Sequence, residues 1–178
     1  MAHTLLACLF ALSLMVTAGS DHSNHTATRA ARSATINLNA GVDKVFPLFG
    51  FLEEKKWSLG WDPKVVAMGN SLQDSVFTYT HDHVTATWIV TEYDESRHRV
   101  TYAVFVPNNR AMTIRIECSG DQAHTRADIA YSFTVLGEQG EASFREFQQQ
   151  DFAHRLLHWQ HAINHYLETG TQWQGDSN

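Results

Sequence analysis

The chain has 178 residues, 43% hydrophobic and 18% charged, with 13 Lys and Arg against 19 Asp and Glu for a formal charge of −6. That length fits one domain with a real core, and the apolar fraction excludes a disordered chain. The acidic balance argues against nucleic-acid and anionic-membrane partners, which need a dense basic face. The compositional surplus lies in histidine, of which there are 11.

Thr4 to Val16 reads TLLACLFALSLMV, an uncharged run followed by small residues. It is shorter than the ~20 apolar residues of a membrane span. It predicts a secretory signal over residues 1–18 with Val16-Thr17-Ala18 as its cleavage site, although no Lys or Arg precedes it. The expected location is therefore secreted or periplasmic, with no stable membrane insertion after cleavage. Loss of Cys8 leaves Cys118 without an internal disulfide partner, as a small buried hydrophobe on a strand. Residues 19–33 are small and polar and predict a flexible linker, which contains the glycosylation sequon Asn24-His25-Thr26. The folded domain is expected over residues 34–169, and residues 170–178 as a disordered tail.

Ala34 to Asn39 alternates and predicts a first strand. Val42 to Phe51 follows as a short helix, with Val45, Phe46 and Phe49 on one stripe and Pro47 near its first turn. Glu53 to Trp57 continues as a second short helix or turn, which Pro63 forces to end by Asp62. From Lys64 to Leu136 the period switches to two. The strands predicted are Val65–Met68, Ser75–Thr80, Val84–Tyr93, Arg99–Val106, Met112–Cys118 and Thr125–Val135, separated by short Gly-, Asn- and Asp-bearing breaks. Such breaks join antiparallel neighbours into a meander. One long helix is expected from Ala142 to Glu168, opened by a Ser143-x-x-Glu146 capping box. Its apolar face would be Phe152, Leu156, Trp159, Ile163, Tyr166 and Leu167, and Gly170 would cap its end.

The fold class is α+β: a curved antiparallel sheet of six to seven strands wrapped around a long C-terminal helix, with two short helices after strand one. With Ile36-Asn37-Leu38-Asn39-Ala40, Val45-Phe46-x-Leu48, the Trp57…Trp61-x-Pro63 turn and this element order, the sequence resembles the START-like (SRPBCC) superfamily, the helix-grip fold that includes polyketide cyclase-like proteins. The resemblance spans about Ala34 to Glu168. It implies that the helix and sheet leave a cavity between them.

Strand parity sorts the walls of such a cavity. Trp88, Tyr102, Val104, Met112, Ile114, Tyr131 and Phe133 fall on the apolar face, joined by Trp159 and Ile163 from the helix. Tyr102 and Tyr131 supply polar tips, with Glu92 a weaker candidate, and the family layout places Trp57 and Trp61 near the mouth. The expected partner is a small hydrophobic molecule, lipid-like or aromatic. No nucleophile elbow, zinc-protease, Walker or Rossmann motif occurs, so no cofactor and no catalytic residues are named. A cyclase- or aromatase-like pocket enzyme remains an alternative. His154, His158, His161 and His165 recur at i, i+4, i+7 and i+11, on one solvent-facing stripe. Pairs at i, i+4 have the spacing of metal ligands. A filled core with a metal- or pH-responsive histidine surface is the second alternative.

Overall fold

The computed structural model describes residues 28–175. The expected signal sequence, Cys8, the sequon and most of the expected linker lie outside the described residues. Seven strands form one antiparallel sheet: β1 (Arg29–Leu38), β2 (Lys64–Ala67), β3 (Val76–His81), β4 (Val84–Asp94), β5 (Arg99–Val106), β6 (Arg110–Gly120) and β7 (Thr125–Val135). Their order across the sheet is β1-β7-β6-β5-β4-β3-β2. Between β1 and β2 lie α1 (Val42–Val45), a 3-10 turn at Phe46–Phe49 and another at Glu54–Lys56. Two helices, α2 (Gln139–Gln149) and α3 (Phe152–Thr169), complete the chain.

The meander follows from alternation. Val100, Tyr102, Val104 and Val106 on β5 are buried, as are Ile114, Ile116 and Cys118 on β6 and Ile129, Tyr131 and Phe133 on β7. These side chains line the concave face and build the core together with Val45, Phe46, Phe49 and Phe51. Cys118 is a free, buried thiol, and burial pushes its pKa up to about 12, so it packs as an inert hydrophobe.

Four sequence expectations need correction. The first strand starts at Arg29, so residues 29–33 belong to the sheet and not to a linker. Its inward positions there are Ala30, Arg32 and Ala34, too small or too charged to show as apolar alternation. Arg32 nevertheless packs its guanidinium 5.9 Å from the Phe147 ring centroid, and every residue of the strand is in register with β7. The second correction concerns Glu92. A register shift between Val90 and Glu92 turns its side chain away from the concave face. There it accepts a hydrogen bond from Thr101 Oγ1 at 2.9 Å and lies 3.5 Å from Arg99.

Third, the expected long helix is two helices. Gln150 is extended (ψ 136°) and Asp151 caps α3, its carboxylate accepting from the His154 N–H at 3.0 Å. Ser143 is no cap; it lies inside α2, where its hydroxyl accepts from Asn109 Nδ2 at 3.1 Å. An Asp151→Ala variant should lose about 1 kcal/mol of stability, the usual worth of such a cap, measurable as a lower denaturant midpoint at unchanged slope. Fourth, the tail is not disordered up to residue 175. After Gly170 ends α3 in the left-handed region, Gln172 Nε2 donates to Lys55 O at 2.6 Å. Trp173 packs against the core, its ring centroid 5.9 Å from that of His158 and 5.8 Å from that of His161. A large aromatic ring gains enough by burial to hold this segment down.

β1 is an edge strand, and α3 covers its free side. The side-chain oxygens of Gln160 and Asn164 accept the Asn37 and Asn39 N–H groups at 2.8 and 2.9 Å. These two donors at the end of the edge are thereby satisfied, and the helix is fixed across that end of the sheet. Among the described residues, no helix is long and apolar enough to cross a membrane.

Candidate functional site

The sheet curves away from α3 before the two close, leaving a cavity of about 670 Å³. Its walls are the concave faces of β3 to β7, the inner faces of α2 and α3, and the segment that carries the Glu54–Lys56 turn. Nine of the residues expected to line it do so: Trp61, Trp88, Tyr102, Val104, Met112, Ile114, Tyr131, Phe133 and Trp159.

Trp57 and Ile163 do not. Trp57 is 2% exposed; its indole N–H donates to Leu48 O at 2.8 Å, and its ring meets Trp159 edge-on with centroids 5.6 Å apart. It therefore stands behind the wall, holding the loop. Ile163 is fully buried where α3 has already closed on β1, beside the Gln160 and Asn164 bonds.

The wall toward β2 is aromatic. The Trp61 centroid lies 4.4 Å from that of Tyr79 and 5.6 Å from that of Trp88, and Trp88 lies 5.8 Å from Tyr102. Trp61 is held by its own N–H, which donates to Phe51 O at 2.8 Å. The Trp88 N–H is buried without an acceptor. The Tyr102 hydroxyl donates to Phe49 O at 2.7 Å, and burial holds its pKa well above the usual phenol value. Burial also pushes Tyr131 up to about 12. Both phenols are thus neutral hydrogen-bonding groups throughout the physiological range.

Charges gather where the strands end. His81 and Asp82 at the β3–β4 hairpin lie 3.2 Å apart and are exposed. Arg110 donates to Asn109 Oδ1 at 3.0 Å. Arg155 donates to Gln150 Oε1 at 3.1 Å and lies 5.7 Å from the Tyr131 ring centroid. Glu146 of α2 joins them on the cavity lining.

Sequence reasoning missed Glu54. It lies in a three-residue 3-10 turn, lines the cavity and is half-buried. What exposure it keeps is toward the cavity, and desolvation pushes its pKa up to about 8, with no neighbouring charge or hydrogen bond contributing to the shift. The signal for it was the period of the turn. A 3-10 helix eclipses i and i+3, so Phe51, Glu54 and Trp57 share one side, and the two aromatic residues are buried.

The histidine stripe does not assemble a centre. His154, His158 and His161 are exposed, and the first two rings are 5.3 Å apart. Trp173 occupies the space beside His158 and His161, and His165 Nε2 lies 3.2 Å from Thr171 Oγ1. Among the described residues, no three His, Cys, Asp or Glu side chains come together as a group that could hold a metal ion.

Residues 29–159 match the sequence pattern of the family described as polyketide cyclase / dehydrase and lipid transport. No curated protein matches the sequence. Among solved structures, norcoclaurine synthase from Thalictrum flavum in complex with dopamine and hydroxybenzaldehyde is similar with a TM-score of 0.58 at 8% identity, covering 98% of this chain and 100% of that one. The Zhui aromatase/cyclase from Streptomyces sp. R1128 gives 0.60 at 15% identity, with 79% and 94% covered. Major latex-like protein 151 from Panax ginseng gives 0.55 at 14% identity, with 78% and 97% covered. At these identities the likeness is one of fold, the helix-grip architecture already seen in the sheet and α3.

Proposed function

Because the chain belongs to the polyketide cyclase / dehydrase and lipid transport family, we propose that it is a binding protein whose cavity holds one small hydrophobic molecule, aromatic or lipid-like. The observation that carries this reading is the cavity itself. At about 670 Å³ it falls within the range of small-molecule pockets, and apolar and aromatic side chains dominate its lining. A core packed solid by large side chains, the arrangement that would favour a pure interaction protein, is not what these residues build. Burying ~300 Å² of apolar ligand surface contributes roughly 7 kcal/mol before association costs, so a tight complex needs a larger ligand or added polar contacts from the cavity lining. The apolar run Thr4–Val16 supports export of the protein, so that the ligand would be met outside the cytoplasm.

The neutral fluorophore N-phenyl-1-naphthylamine tests this directly. Saturable binding with a stoichiometry near one is expected. An Ile114→Trp variant, which grows a buried side chain of β6 into the cavity, should lose that binding while keeping the circular-dichroism spectrum of a folded protein. Undiminished binding in the variant would place the fluorophore elsewhere and count against the cavity.

Acid–base catalysis on the bound molecule is the second reading, and Glu54 is the observation that favours it. A carboxyl that titrates near neutrality can serve as a general acid or base at working pH.

A further inference from the structure

The cavity has one half-buried carboxyl, Glu54; the other carboxylates on its lining, Asp82 and Glu146, are exposed. Glu54 projects from the turn between Glu53 and Trp57, and its neighbours on that turn are occupied elsewhere: Lys56 pairs with Glu53 outside, and Lys55 is exposed. The groups that face it from other elements are mostly phenols, Tyr79 on β3, Tyr102 on β5 and Tyr131 on β7. The cations on the cavity lining are Arg110 on β6 and Arg155 on α3, and both donate to amide oxygens. His81, Asp82 and Glu146 complete the ionisable lining. None of them forms an ion pair with Glu54.

A carboxyl so placed is a recognition group without a partner in the protein. A metal ion is a poor candidate, because hard cations need several oxygen ligands and no such group is gathered among the described residues. An organic ammonium needs only one carboxylate and welcomes aromatic ring faces, whose electron density attracts cations. The linked rings of Tyr79, Trp61, Trp88 and Tyr102 supply those faces along one side of the same cavity.

Resting on the reading of the cavity as a hydrophobic-ligand site, we propose that its ligand is a hydrophobic amine whose protonated nitrogen pairs with Glu54 while its apolar body fills the space under α3. Binding then transfers the Glu54 proton to solvent: the carboxyl holds it in the empty cavity and gives it up when the ammonium enters. The amine keeps its own proton, and no other group need change state. Affinity for an amine should therefore rise with pH, by up to about tenfold per unit between about 5 and 8, and the affinity of a neutral ligand should not.

The test uses the purified full chain and two near-isosteric probes, 1-naphthalenemethylamine and 1-naphthalenemethanol, competing against N-phenyl-1-naphthylamine. At pH 7.5 the amine should displace the fluorophore at least about tenfold better than the alcohol. That advantage should shrink steadily as the pH falls from 8 toward 5, and calorimetry in buffers of different ionisation enthalpy should detect close to one proton released per amine bound at pH 6–7. Glu54→Gln should abolish the advantage, while N-phenyl-1-naphthylamine still binds saturably. Equal competition by the two probes, or an advantage that survives in Glu54→Gln, would overturn the amine assignment while the hydrophobic site stands. Absence of saturable fluorophore binding would overturn both.

Discussion

Glu54→Gln is expected to melt about 5–10 °C higher than the wild-type protein at pH 8 and at nearly the same temperature at pH 4. The cause is the burial that pushes the Glu54 carboxyl from 4.5 up to about 8. Between those two values the unfolded chain has released the proton and the folded chain still holds it. Raising the pH therefore pulls the equilibrium toward the unfolded state. The neutral carboxyl costs little below pH 4.5, and the penalty grows until the folded protein ionises near pH 8. A full shift of that size corresponds to roughly 5 kcal/mol at 1.4 kcal/mol per unit. The carboxyl keeps some exposure to a cavity that water can enter, so about half, ~2–3 kcal/mol, is a sounder figure. Glutamine carries no charge at any pH and escapes the penalty. Calorimetry of both proteins at pH 4, 6 and 8 reads the effect. A melting difference that stays constant across this range would mean that Glu54 is hydrated in the fold. A residue that lowers the stability of the empty protein at working pH is the pattern expected of a group kept for binding or catalysis.

Trp57→Ala should cost about 3–5 kcal/mol, the range for removing a buried aromatic side chain. The indole is 2% exposed, closes the hydrogen bond to Leu48 O and braces Trp159. Its loss opens a hole behind the cavity wall and strands a carbonyl acceptor. It also frees the turn that presents Glu54 three residues earlier. The expected observation is a large fall in the denaturant midpoint with little change in slope. Trp57→Phe should recover most of the packing but not the hydrogen bond, and should fall in between. A loss under about 1 kcal/mol would show that the loop repacks without the indole.

The strands were legible because nothing but alternation is needed to place them. Val100 to Val106 and Met112 to Cys118 put every second side chain on one face, and the cavity wall follows from that parity. The reading failed where a single residue breaks the period. The bulge at Val90–Glu92 reverses parity, and no Gly or Pro marks it. The helix break has a sequence signature: Phe144 and Phe147 keep helical spacing, and then Phe152 follows Phe147 at i+5 and not at i+3 or i+4, with Asp151 placed to cap. Trp57 and Trp61 sit four residues apart in the same loop, and their composition is identical. Gly60, at φ +79°, turns the chain between them and sends one indole into the core and the other to the cavity. Glu54 stood in a run of four charges, Glu53 to Lys56, that looks like a solvated surface. Only the threefold repeat of a 3-10 turn separates the one that points inward.

The pairing of β1 with β7 sets the order in which the protein can be finished. Arg29 and Ser132, which meet across that ladder, are 103 residues apart in the chain. During synthesis β1 leaves the ribosome first and must wait unpaired until nearly the whole meander has followed. Contacts of such long range carry the largest closure entropy and form late. A strand that waits exposed is an aggregation hazard, and this one is built with Arg29, Arg32 and small Ala, Ser and Thr residues until Ile36. The same weak apolar signal that keeps residues 29–33 from reading as a strand thus lowers that hazard. When β7 arrives and α3 seals the outer edge, the same strand closes the sheet.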